Sequence, residues 1–214
     1  MRSDPAAPVT LGITGASGAP YAVRLLRALN DSGTAVRLLL SNYGWRLLAE
    51  EAGIDDLDAL RAATGDWSRV ELYDAGDRGA TPASGSAPSR GMVVCPCSMG
   101  TLASIAAGVS RNLVERAADV ALKERRPLIL VPRETPLSLV HLENMTRLTR
   151  AGATILPAAP GFYHQPRTIE DLIDFVVARI LDHLGVEHRL GRRWRSGEQG
   201  ADGIPDEVQR AVDE

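Results

Sequence analysis

Gly15-Ala16-Ser17-Gly18-Ala19-Pro20 separates an apolar run at residues 9–14 from a helical pattern that opens at Tyr21. A strand that turns through small residues into a helix aims backbone N–H groups and the positive end of the helix dipole at one point, which suits an anion. Gly15 and Gly18 can take positive φ and admit a ligand closely, and Pro20 suits the first helical turn because it has no N–H to leave unpaired. The loop is not a P-loop, which ends in Gly-Lys-Ser/Thr, nor a nucleophile elbow, which needs Gly where Ala19 stands. A dinucleotide site wants an acidic residue closing the second strand, whereas this one closes with Ser41-Asn42. The readings left are a cradle for a mononucleotide phosphate and an ordinary tight turn of an α/β domain.

Other residues could carry chemistry. Arg116, Asp119 and Lys123 recur at i, i+3 and i+7, which makes either a solvated ion-pair row or a cationic face. Arg179 lies two turns after Leu172, at the margin of an apolar face that includes Ile169, Val176 and Ile180. An arginine there either snorkels to water or meets a buried anion. Tyr163, in Gly161-Phe162-Tyr163-His164, reads on its own as a packed loop aromatic, and His164 as structural or solvated. Cys95 and Cys97 flank one proline on a strand, so they point the same way but are held too rigidly to pair. With four scattered histidines and no further cysteine, no zinc set can be assembled, and no metal is expected.

The elements that must position these residues follow from periodicity. Runs rich in β-branched residues recur at 9–14, 35–40, 70–73, 92–97, 128–132 and 154–157. Helical patterns fall at 21–31, 44–52, 102–107, 113–125, 139–151 and 169–184. This alternation predicts a single-domain, three-layer α/β fold, Rossmann-like (flavodoxin-like), with a mostly parallel sheet and helices on both faces. Ligands of such folds sit beyond the carboxyl ends of the strands, so Ser17, Ser41, Ser98 and Arg133, each following a strand, should converge on one crevice. Residues 74–90, rich in Gly, Ala, Ser and Pro, predict a mobile loop over that crevice. The domain is expected to span 9–188. A flexible 1–8 precedes it, and a polar 189–214 follows, mostly mobile, in which Trp194 docks.

Composition bounds the function. The chain has 214 residues, 44% hydrophobic and 24% charged, which suits one well-filled domain. A net charge of −3 offers no excess of cations to displace counterions, so no nucleic acid is expected as a partner. No apolar run reaches membrane-span length and residues 1–8 hold no signal-peptide core, so a cytoplasmic protein with no membrane partner is expected.

The blocks Gly15-Ala16-Ser17-Gly18-Ala19, Cys97-Ser98-Met99-Gly100-Thr101, Arg116-Ala117-Ala118-Asp119-Val120, Leu122-Lys123-Glu124-Arg125-Arg126, Arg133-Glu134-Thr135-Pro136 and Gly161-Phe162-Tyr163-His164 occur in this order. Together they resemble the UbiX-type flavin prenyltransferases, from residue 9 to about residue 194. The related flavin-dependent cysteine decarboxylases carry a Pro-x-Met-Asn-x-x-Met-Trp block and a first-helix histidine, and neither is present. The resemblance implies an enzyme that takes reduced FMN and dimethylallyl monophosphate and attaches the prenyl group to flavin N5 and then C6. Its product, prenylated FMN, would serve a UbiD-type decarboxylase. It also implies a metal-independent homododecamer with sites at subunit interfaces.

Carried over by position, the resemblance implies that Gly15, Ala16, Ser17, Ser41, Ser98, Met99, Gly100, Thr101 and Arg133 hold FMN. Arg116, Lys123, Glu134, Tyr163, Arg179 and Trp194 would surround the prenyl phosphate. Glu134, Lys123, Tyr163, Arg179, Ser17 and Glu51 make up the implied catalytic group, with Glu134 as the acid–base residue. The division suits the chemistry: breaking an allylic C–O bond develops a carbocation and a phosphate dianion, which fixed cations and an aromatic wall stabilise. Gly100 stands where many relatives have Lys or Arg, and Ala87 where many have a bulky aromatic, which is expected to open space beside the prenyl pocket.

Overall fold

All five residues of the run Val9-Thr10-Leu11-Gly12-Ile13 are buried, which only a strand covered on both faces can satisfy. In the computed structural model, which describes residues 6–191, that strand is β1 (Val9–Ile13), central in a sheet of six. The others are β2 (Val36–Leu40), β3 (Val70–Asp74), β4 (Gly91–Cys97), β5 (Leu128–Pro132) and β6 (Thr154–Ile155). Their order is β3-β2-β1-β4-β5-β6 and every pairing is parallel, so the expected doubly wound architecture is the one observed. The winding reverses between β1 and β4, where such sheets open a crevice at their carboxyl ends.

The helices are α1 (Ala19–Asp31), α2 (Asn42–Ala52), α3 (Leu57–Thr64), α4 (Met99–Ala106), α5 (Leu113–Lys123), α6 (Leu139–Ala151) and α7 (Ile169–Leu184). Helices α1, α2, α3 and α7 build one core with Leu11, Leu38 and Val93, and α4, α5 and α6 build the other with Met92, Val94 and Leu130. Each of α2 to α7 starts at a Ser, Asp, Asn or Thr whose side chain accepts an N–H of the first turn, so the boundaries are written locally. Arg24 on α1 and Asp174 on α7 add a pair at 2.6 Å between the two helices.

Several expectations are corrected. Helix α3 is an addition; only Leu60 and Thr64 of its eight residues are buried, so its apolar stripe is too thin to read from sequence. Residues 75–90 are a packed crossover. They include a 3-10 turn at Thr81–Ala83, bury Pro82 and Ala83, and are tied to the body by Leu113 N–H to the Ala75 carbonyl and by Arg126 to the Gly85 carbonyl at 2.6 Å. Near the ends of the described residues, Ala7 is buried, the Pro8 carbonyl accepts from Arg90 N–H, and Leu190 packs on the core. Ile169 is exposed and does not belong to the buried face of α7. Cys95 and Cys97 do not share a face, because the pairing of β4 with β5 shifts register between Val94 and Cys97, sending Cys95 into one core and Cys97 into the other. Both are free thiols; burial pushes Cys95 up to about 12 and raises Cys97 as well.

Candidate active site

The crevice is assembled by Thr14, the residue after β1. Its hydroxyl donates to the Pro96 carbonyl at 2.8 Å and accepts from Ser98 N–H at 2.9 Å, locking the β1 and β4 loops together across the switch point. Ser41 N–H donates to the Ile13 carbonyl at 3.1 Å, which brings the β2 loop to the same place. Two glycines make the approach possible. A Cβ on Gly44 would stand 2.6 Å from the Ile13 carbonyl oxygen, and one on Gly15 would stand 2.5 Å from Tyr43 Cβ. Arg133, after β5, reaches over and donates from Nε to the Ser17 carbonyl at 3.1 Å. Gly15, Ser17, Ser41, Ser98 and Arg133 therefore meet, as their positions after strands predict.

The N-terminus of α1 is not an open cradle. Glu51, at the far end of α2, accepts from Gly18 N–H at 2.7 Å and Ala19 N–H at 2.8 Å, so the anion at this helix end is the protein's own carboxylate. Burial pushes the Glu51 carboxyl up. Hydrogen bonds from the Ser17 hydroxyl and the two N–H groups, with the charge of Arg133, outweigh that and hold it below its ordinary value. Gly18, at φ 133°, sits where L side chains are strained, which is why this tight clasp needs glycine.

The positive helix ends left facing the crevice are those of α2 and α4. Ser41 caps the first by accepting from Gly44 N–H at 3.0 Å, and Ser98 caps the second by accepting from Thr101 N–H at 3.2 Å. Ser98 Oγ also donates to Thr101 Oγ1 at 3.0 Å. Ala16 and Met99 are buried and offer the crevice backbone more than side chain. Gly100, in the first turn of α4, is exposed, and nothing lies within 4 Å of where its Cβ would stand.

Tyr163 and Arg179 form a second group, on the outer flank of α7. They line one cavity of about 310 Å³ with His164, Phe175 and Asp182. Tyr163 meets Phe175 and His164 edge-on, each at 5.7 Å between centroids, while His164 stacks on Phe175 at 5.3 Å. Arg179 is exposed and donates to Asp182 at 3.0 Å, so of its two readings the one toward water holds within the chain.

The remaining candidates make local contacts. Arg116 pairs with Asp119 at 2.7 Å, half of the ion-pair row read from the helical stripe. Lys123 pairs with its neighbour Glu124 at the end of α5, beside Gly85 and toward the sheet edge where β5 begins. Glu134 is exposed beside Arg133 and accepts the local Thr135 N–H at 3.1 Å. Ala87 borders a gap of about 10 Å³ between the crossover, Thr10, Arg37 and Met92. Trp194 lies outside the described residues. A cavity of about 1060 Å³ at the opposite end, between Arg24, Arg90 and residues 185–190, includes none of the candidates.

Sequence reasoning passed over Thr14, the knot of the crevice, and Tyr43, which packs on Gly15. The available signals were a polar residue closing an apolar strand and an aromatic beside a serine N-cap.

Comparisons with known proteins fit this geometry. The Flavoprotein family profile matches residues 1–181. The flavin prenyltransferase UbiX of Halalkalibacterium halodurans is 53% identical over 191 residues, covering 86% of this chain and 92% of that protein. That of Pseudomonas aeruginosa is 50% identical, covering 89% and 94%. Among solved structures, a dodecameric FMN-dependent UbiX-like decarboxylase from Escherichia coli O157:H7 superposes with a TM-score of 0.81 at 43% identity, covering 88% of this chain and all of that one. AnUbiX (PadA1), solved with FMN and dimethylallyl pyrophosphate, also gives 0.81, at 40% identity, covering 90% and 99%.

Proposed function

This chain belongs to the UbiX flavin prenyltransferases of the Flavoprotein family, and from that membership we propose that it joins a dimethylallyl group from dimethylallyl monophosphate to N5 and C6 of reduced FMN. The product, prenylated FMN, is handed to a UbiD-type decarboxylase. The observation that carries the reading is the crevice at the β1/β4 switch point, where strand-following loops are fixed to one another by Thr14, Gly15, Ser41 and Arg133.

The donor set suits a phosphate monoester. The Ser41 hydroxyl, the positive N-terminal ends of α2 and α4 and the Arg133 guanidinium stabilise a dianion without a metal. Among the described residues no cluster of His, Cys, Asp and Glu could hold a metal ion. No helix there is long and apolar enough to cross a membrane.

In the reaction the allylic C–O bond breaks and inorganic phosphate leaves as flavin N5 takes the five-carbon unit in exchange for its proton; the unit's C=C bond then takes up a proton and closes on C6, which gives up its own. Arg116, Lys123 and Arg179 stabilise the departing phosphate as its charge develops, and the Tyr163 ring walls the cationic fragment. Glu134 relays the proton between phosphate and flavin. Holding both molecules face to face supplies a large share of the acceleration, since the new bonds join non-protein atoms. Within one chain Lys123, paired with Glu124 at the end of α5, does not line the cavity that holds Tyr163 and Arg179, so the working unit is read as a homo-oligomer, a dodecamer, in which neighbours bring these groups to the crevice.

Purified protein incubated anaerobically with reduced FMN and dimethylallyl monophosphate, or the pyrophosphate, tests this by the mass of the recovered flavin. A gain of one five-carbon unit is expected with the monophosphate. An unchanged mass with both donors refutes the proposal, and carbon dioxide released from an aromatic acid by this chain alone favours the decarboxylase reading instead.

A further inference from the structure

Tyr43 is 70% exposed, yet its base is among the most firmly anchored parts of the crevice. It lies in the first turn of α2, two residues after the N-cap Ser41, and its Cβ and Cγ press on the face of Gly15 where any side chain would collide. Gly44 beside it is jammed against the Ile13 carbonyl, Ser41 N–H bonds the same carbonyl, and Glu51 at the far end of α2 clasps the start of α1. Helix α2 is thus tied to the β1 loop at both ends, and only χ rotations remain to Tyr43. A large aromatic with a fixed base and an uncovered ring, beside loops that gather at a switch point, presents a flat surface to a flat ligand.

We propose that Tyr43 is a further flavin-binding residue, whose ring packs against the isoalloxazine and sets its position over the Gly15–Ser17 loop. This rests on reading the crevice as the flavin site. Of the parts of FMN, phosphate and ribityl chain are served by hydroxyls and N–H groups, whereas the tricyclic ring needs an apolar, planar neighbour, and Tyr43 is the exposed aromatic set at this loop. Contact also carries a signature, because an electron-rich phenol touching an isoalloxazine quenches its fluorescence.

The experiment is titration of FMN into the full-length chain and its Tyr43→Ala, Tyr43→Phe and Tyr43→Trp variants, reading affinity and bound-flavin fluorescence, with light scattering to follow assembly. Tyr43→Ala is expected to bind about 3- to 10-fold more weakly, the scale of one aromatic contact, and to hold a brighter flavin. Tyr43→Phe should keep most of the affinity, and Tyr43→Trp should quench at least as deeply as the parent. Unchanged affinity and fluorescence in Tyr43→Ala would overturn the inference, as would a change in particle mass with flavin fluorescence unaltered, which would make Tyr43 a subunit contact. If the parent chain binds no FMN, the reading of the crevice fails and this one with it.

Discussion

Glu51 shows how one carboxylate can be both scaffold and switch. Its bonds to Gly18 and Ala19 N–H close the N-terminus of α1, and they favour the charged form, so the folded protein holds this proton more weakly than the unfolded chain. The stabilisation is therefore complete above the ordinary value of 4.5 and is lost as pH falls through the lowered folded value. Glu51→Gln keeps an acceptor oxygen but not the charge. It should lower stability near neutral pH by about 0.5–1 kcal/mol, the worth of a charge at a helix N-terminus. In urea melts the gap between the variant and the parent should narrow steadily below the carboxylate range, and a gap that stays constant down to strongly acid pH would separate the clasp from the charge.

At the scale of elements, the site depends on how closely α2 can lie against the end of β1. Gly15→Ala places a methyl 2.5 Å from Tyr43 Cβ, so the first turn of α2 must move away from the loop. The expected cost is about 1–3 kcal/mol, typical of overpacking, with weaker FMN binding because Ser41 moves with the turn; a thermal melt and an FMN titration read both, and wild-type values in each would refute the packing argument. Periodicity made the strands and most helices legible, because both faces of this sheet demand continuous apolar runs and each of α2 to α7 carries its own cap. The crossover was misread for a physical reason. Its small residues, taken as a sign of mobility, let the 3-10 turn pack against α5, with Ala83 in the same core as Ala117 and Ala121. The crevice was legible wherever a residue follows a strand, as Ser17, Ser41, Ser98 and Arg133 do. The clasp by Glu51 was not, since a carboxylate reaching back from the end of one helix to the start of another leaves no local pattern.

The whole molecule carries surface that a lone chain does not cover. Helix α6 buries only Leu148 of its thirteen residues, while Leu139, Val140 and Leu142 are 70%, 62% and 47% exposed beside the exposed Leu137. An apolar stripe of this kind marks a contact, and under the proposed function such a contact would bring Lys123 and Arg179 to a neighbour's crevice. Leu139→Asp with Val140→Asp tests the link. Both positions are open in the single chain, so the fold and its circular dichroism should persist. An unpaired carboxylate forced into an apolar interface costs at least about 2 kcal/mol. Light scattering should therefore show a smaller particle, and prenylation should fall with it while the crevice, built within one chain, still takes up FMN. If the particle shrinks and flavin prenylation continues at the parent rate, one chain contains a complete site, and Lys123 at the end of α5 has no part in it.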